Sequence, residues 1–141
     1  MSYILDCSAI VTIILREAGS DRVLDALETA DACRVGAPTL VQTAMVLTGR
    51  LGDDGRTVLL SFLQEVNVDV LSFSDPHWRI AQSAFVRYGK GRHPAALNFG
   101  ACLTYATAYV AGEPHLCVGE DFPRTDLELV LKPVVTPLSH T

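Results

Sequence analysis

Apolar positions along the chain fall into short continuous runs that alternate with stripes at helical spacing. Tyr3-Ile4-Leu5 is the first run, and its unbroken apolar character fits a strand buried on both faces, as in a parallel sheet. Asp6 follows at the strand's C-terminal end, and Ser8 is the expected N-cap of an apolar helix running to about Arg16. After a break at Glu17-Ala18-Gly19, the stripe Val23, Leu24, Leu27 and Ala30 predicts a second helix starting at Ser20 or Asp21. A short strand over 33–37 comes next, then a helix over 39–51 with Pro38 in its first turn. The turn Gly52-Asp53-Asp54-Gly55 leads to a helix over 56–65 and a strand over 68–71. Asp75-Pro76 opens another helix reaching 87, with Asp75 as the expected N-cap. Residues 88–94 read as a loop, Asn98 starts a helix to about 111, and strands are expected over 114–118 and at Val134-Val135.

Strands and helices alternate throughout, which predicts an α/β fold with a mostly parallel central sheet of four to five strands. With 141 residues, 49% of them hydrophobic, the chain is expected to form a single domain over 1–141 and not a disordered segment. The longest apolar stretch, 101–111, is interrupted by Thr and Tyr and falls short of a bilayer span. With no targeting leader expected either, the predicted location is cytoplasmic and the membrane is excluded as a partner. Cys7, Cys33, Cys102 and Cys117 include no C-x-x-C pair, so buried reduced thiols are expected and not zinc or a disulfide framework. A net charge of −5 gives no general attraction to nucleic acid, so a polyanionic substrate needs a bound metal, a local basic stretch, or both.

Ligands of open parallel sheets bind outside the carboxyl ends of the strands. A rigid carboxylate there, as at Asp6, suits a hard cation such as Mg²⁺; the plainer alternative is an Asp that caps the following turn. Position 42, position 101 and Glu120-Asp121 are expected at the same edge. With Asn98 as N-cap, position 101 is N3, where a carboxylate is favoured, yet Ala101 can neither bind metal nor accept a proton. Arg87, Lys90, Arg92 and His93 form the densest basic stretch, either a phosphate guide or a solvated loop. Ser8 and Thr125 are candidates to orient carboxylates, and both also fit helix N-caps. Asn98 reads as a cap first and a substrate contact second. Trp78 shares an apolar face with Ala81 and Phe85 and is expected in the core, while His77 and His115 lack metal-ligand spacing.

Four stretches occur in the order found in a known family: Leu5-Asp6-Cys7-Ser8-Ala9; Ala37-Pro38-Thr39-Leu40-Val41-Gln42-Thr43-Ala44; Gly89-Lys90-Gly91-Arg92-His93-Pro94 running through Leu97-Asn98-Phe99-Gly100; and Gly119-Glu120-Asp121-Phe122 with Thr125-Asp126. Together they resemble PIN domains, and more narrowly the VapC-type toxins of bacterial toxin–antitoxin pairs. The resemblance implies a three-layer α/β/α sandwich and a Mg²⁺- or Mn²⁺-dependent endoribonuclease, silenced by a VapB-type antitoxin and commonly homodimeric. It maps the acidic residues to Asp6, to position 42 (usually Glu), to position 101 (usually Asp) and to the Glu120-Asp121 pair, with Asp121 preferred. Gln42 and Ala101 depart from that pattern. Gln42 keeps the shape of Glu without its charge, and Ala101 removes a ligand outright, so metal affinity and catalysis are both expected to fall. Disarming of a toxic nuclease accounts for such losses in an otherwise family-like chain, with natural decay the other explanation. The alternative function is a non-catalytic PIN-like module that binds RNA or an antitoxin. A phosphatase or receiver domain built on Asp6 ranks below both, because neither Lys90 nor Lys132 lies at a suitable strand end.

Overall fold

β1 (Ser2–Leu5) lies inside a four-stranded sheet in the computed structural model, which describes residues 1–132. Its neighbours are β2 (Ala32–Gly36) and β4 (His115–Leu116), β3 (Val68–Leu71) flanks β2, and every pairing is parallel. The register sets Tyr3 beside Cys33, Ile4 beside Arg34 and His115, and Gly36 beside Leu71. Because side chains alternate across a strand, Tyr3, Leu5, Cys33 and Val35 enter one core. There they meet α1 (Cys7–Ile14), α2 (Ser20–Glu28), Leu47 of α3 (Ala37–Leu51) and Leu59 and Phe62 of α4 (Asp54–Val66). A second core joins α5 (Asp75–Tyr88) and α6 (Phe99–Ala111) to Leu97, Cys117 and Phe122. Each fully buried aliphatic such as Leu5, Ile10 or Leu97 contributes about 1.5–3 kcal/mol.

Close approaches lock α6 onto β2 and α3. A Cβ on Gly36 would meet Thr107 Oγ1 at 2.6 Å, so the end of β2 requires glycine. The buried hydroxyls of Thr39 and Thr104 bond each other at 2.9 Å and satisfy one another between α3 and α6. All four cysteines are buried free thiols, as expected. Among the described residues, no helix is long and apolar enough to cross a membrane.

Several local expectations change. Asp6, not Ser8, is the N-cap of α1: its backbone is extended (φ −89, ψ 158) and its side chain accepts from Ser8 N at 3.0 Å. Ser74, not Asp75, caps α5, because a capping box with His77 satisfies the first-turn groups and frees Asp75 to pair with Arg79. Trp78 and Phe85 are not in the core. The buried stripe of α5 is Ala81, Ala84 and Tyr88, whose small residues let α5 pack close to α6 and turn the large aromatics outward. β4 is only two residues long, and Glu128, Leu129 and Val130 run beside it instead: His115 N donates to Glu128 O at 2.9 Å and Val130 N to His115 O at 3.0 Å. The strand expected at Val134 and Val135 lies outside the described residues.

Candidate active site

A cavity of about 420 Å³ opens at the carboxyl edge of the sheet, and Asp6, Gln42, Ala101 and Asp121 all line it. Each arrives from a different element. Asp6 ends β1 and starts α1. Gln42 lies in the second turn of α3 and crosses the first turn of α6, where a Cβ on Gly100 would sit 2.5 Å from its Nε2. Ala101 is at N3 of α6, its N–H satisfied by Asn98 Oδ1 at 2.9 Å. Asp121 follows a turn at Gly119 (φ +110) and immediately precedes a short 3-10 helix, Phe122–Arg124.

Asp6 is buried, and neutral donors hold it. Its Oδ2 accepts from Ser8 N and from Ser8 Oγ, and Ser8 Oγ in turn accepts from Val118 N at 2.9 Å. Its Oδ1 lies 3.7 Å from Nε2 of His115, a fully buried ring whose edge rests on Phe122 with 4.6 Å between centroids. Burial pushes the His115 imidazole below its usual range and outweighs the Asp6 charge and a backbone contact with Ile4, which both act the other way. Neither ring nitrogen has a partner of ordinary hydrogen-bond geometry among the described residues. Burial, reinforced by the carboxylates of Asp6 and Asp121, pushes the Cys117 thiol up to about 12. Burial also raises the Cys7 thiol; a hydrogen bond with Thr43 opposes the rise and the Asp6 charge adds to it. No thiolate is therefore available as a nucleophile or soft ligand at neutral pH.

The other expected residues are dispersed. Asn98 lines the cavity as well as capping α6. Glu120 lines an adjacent cavity with Arg22, Cys117 and Lys132, and not the one holding Asp6. Thr125 Oγ1 donates to Phe122 O at 2.7 Å and accepts from Leu127 N at 3.3 Å, a local turn. Arg87 lies 3.5 Å from Asp126 and stacks on Tyr88. Lys90 and Arg92 are exposed on a loop closed by Lys90 N to Leu97 O and Leu97 N to Tyr88 O, each at 3.0 Å. None of these three basic residues lines the cavity. Two residues that sequence patterns passed over do matter to it. Glu17 lines the cavity from an irregular turn and pairs with Arg50 at 3.6 Å; no spacing marks it. His115 is legible only through the register that sets β4 beside Ile4, one residue short of Leu5 and two short of Asp6.

A divalent cation at this cavity, as the family resemblance implies, needs several oxygen ligands in one place. The residues present do not fit that requirement. Among the described residues no three His, Cys, Asp or Glu side chains converge closely enough to hold a metal ion. Two of the four expected positions carry an amide and a methyl group, and one oxygen of Asp6 is already committed to Ser8.

The likeness to known proteins is extensive. The family model described as "PIN domain" matches residues 3–128. Ribonuclease VapC36 of Mycobacterium tuberculosis is 46% identical over 126 residues, covering 89% of this chain and 91% of that protein. The crystal structure of Mycobacterium tuberculosis VapC20, described as a sarcin–ricin loop cleaving toxin, aligns with a TM-score of 0.75 at 14% identity and covers 93% of this chain and 99% of that one. VapBC2 from Rickettsia felis, bound to a fragment of promoter DNA, aligns with a TM-score of 0.71 at 11% identity, covering 92% and 96%. At such identities the two structures speak to the fold alone.

Proposed function

This chain belongs to the PIN-domain family and, within it, to the VapC ribonucleases, and on that premise we propose that it is a single-domain, cytoplasmic toxin-type protein whose RNA-cleaving centre is weakened at Gln42 and Ala101. The observation that carries this reading is the meeting of positions 6, 42, 101 and 121 in one cavity, with only two of the four acidic. Asp6 and Asp121 are the carboxylates of that centre, too few alone for the Mg²⁺ or Mn²⁺ the family uses; Ser8 orients Asp6, and Asn98 borders the RNA path. Glu120 and Thr125 face elsewhere and are not assigned to the centre. Lys90 and Arg92, exposed on their loop, are assigned to guiding RNA phosphates toward the cavity; Arg87, paired with Asp126, is a lesser contributor. A divalent ion would supply Lewis-acid chemistry in a centre with acids at all four positions, and the residues present here do not fit it.

Two protein partners are proposed. α3, α5 and α6 expose Phe99 (80%), Met45 (70%) and Val41 (60%) beside Trp78 and Phe85, with no charged residue among those lining the face. Such an apolar face suits a second copy of the chain. A VapB-type antitoxin is assigned to the early helices, which expose apolar residues such as Leu24 of α2 and Leu60 of α4. Light scattering that gives a monomer at every concentration refutes the homodimer.

A second reading, a module that binds RNA or antitoxin without cutting, is favoured by the absence among the described residues of a convergent metal-binding trio. The assay that separates the readings is RNA cleavage with Mn²⁺ by this chain and by Gln42→Glu/Ala101→Asp. Cleavage regained by the double variant supports the weakened nuclease; none in either protein supports the binding module.

A further inference from the structure

We propose that His115 is a positioning residue for Asp6: its Nε2–H faces Asp6 Oδ1 and, with Ser8 on Oδ2, fixes the direction in which the carboxylate presents its free lone pairs to the cavity. The inference deepens the nuclease reading and rests on it for its catalytic consequence, though not for its geometry.

The placement of this ring is the first argument. A fully buried imidazole with neither nitrogen in ordinary hydrogen-bond geometry is a costly way to fill space, because an aliphatic side chain of similar size packs there without a desolvated polar group. The second argument is its aim. Nε2 lies 3.7 Å from Asp6 Oδ1, and an approach of about 0.7 Å converts that contact into a hydrogen bond of ordinary length. A carboxylate oxygen accepts, so a neutral ring that donates to Asp6 carries its proton on Nε2 and not on Nδ1.

The third argument is the connection to the other acid. The His115 ring lies between Asp6 and Phe122, and Phe122 immediately follows Asp121. The ring therefore acts as a spacer between the segments that bear the two carboxylates. The chain around β4 reaches Asp6 at both oxygens: directly through His115 on Oδ1, and through Val118 N and Ser8 Oγ on Oδ2. Removing the imidazole leaves Oδ1 free to turn, while the fold keeps its packing if an aliphatic of like volume replaces it.

Two measurements test this on the full chain. The first is two-dimensional NMR of histidine-¹⁵N-labelled protein, in which His115 is assigned among the four histidines by its loss in His115→Gln. The expected signature is an Nε2-protonated ring whose slowly exchanging proton shifts in Asp6→Asn, a change that retains the helix cap. An Nδ1-protonated ring, or an Nε2 resonance indifferent to Asp6→Asn, overturns the proposal. The second is RNA cleavage in the Gln42→Glu/Ala101→Asp background, comparing His115→Leu and His115→Gln. His115→Leu is expected to lower kcat about tenfold with KM unchanged, and His115→Gln to recover part of it. Equal kcat in all three proteins overturns the proposal. Should the restored background fail to cut RNA at all, the nuclease reading fails while the NMR result still decides the role of His115.

Discussion

Placing carboxylates at positions 42 and 101 should destabilise the cation-free protein in a pH-dependent way. The cavity volume of about 420 Å³ corresponds to a sphere about 9 Å across, so carboxylates on its wall repel by about 0.5 kcal/mol per pair in water and about 2 kcal/mol at an effective dielectric of 20. In Gln42→Glu/Ala101→Asp, each new charge faces Asp6, Asp121 and the other new charge, with Glu17 offset by its pair Arg50, which gives about 2 kcal/mol even at the aqueous limit. Asp at N3 of α6 offsets about 0.5 kcal/mol through its interaction with the helix dipole. A net loss of that size lowers Tm by about 5–8 °C in a domain of this length.

The sign with pH follows from linkage. Crowded carboxylates titrate above their unfolded values, so protonation relieves the folded state more than the unfolded one. Melting curves of parent and double variant should converge below the ordinary carboxylate range, near pH 4, and diverge as pH rises through it. Circular dichroism melts from pH 3.5 to 8 in chelator, at low salt and again at about 0.5 M salt, give the comparison; screening should shrink the gap. Added Mn²⁺ should close it at neutral pH. An offset that is constant with pH and insensitive to salt means that positions 42 and 101 do not face Asp6 and Asp121, and the proposed centre is then wrong.

Three further outcomes are expected. Gly55→Ala places its Cβ 2.7 Å from the backbone of Leu47 and Thr48 and should cost about 2–3 kcal/mol in chemical denaturation, whereas Gly49→Ala meets open space and should gain about 0.5–1 kcal/mol. Cys117, with its thiol pushed up to about 12, should resist a thiol-disulfide reagent at pH 8 in the native protein and react once the chain is unfolded. Tyr105→Phe removes the hydroxyl that donates to Asp126 Oδ1 at 2.5 Å and should lower stability by about 1 kcal/mol, read from the denaturation midpoint.

Much of the fold was legible because its signals are local. Tyr3-Ile4-Leu5 is continuously apolar because β1 has neighbours on both sides and cores on both faces; Pro38 and Asn98 mark the starts of α3 and α6 by backbone chemistry alone. The convergence of positions 6, 42, 101 and 121 follows from topology, since parallel strands deliver their carboxyl ends to one edge. What was not legible depends on packing between elements. Trp78 has the spacing of a core residue, yet the small stripe Ala81 and Ala84 sets the depth of α5 and leaves the indole half exposed. Glu120 and Asp121 are adjacent in sequence, but the turn before the 3-10 helix sends them to different cavities. His115 appears unremarkable by ligand spacing; only the register of a two-residue strand reveals its contact with Asp6.

The way Asp6 is held shows that the cavity keeps its shape without acids at positions 42 and 101. Four carboxylates in one small cavity repel, and a cation is what reconciles them. Here the fixed points are neutral: Ser8, the Val118 amide behind it, and the packing of Gln42 against Gly100. The hydrogen bond between Asn98 and the Ala101 amide belongs to the helix cap and exists whatever side chain occupies position 101. Apart from Asp6, which caps α1, and the Glu17–Arg50 pair, cavity shape is thus set by groups that carry no charge, and none of it depends on an acid at position 42 or 101. The two properties are separable by mutation, so RNA or antitoxin binding that depends on shape can persist in a chain whose cutting chemistry is weakened. Parent and double variant should accordingly bind an antitoxin helix with similar affinity while differing in RNA cleavage; a parallel loss of both in either protein contradicts that separation.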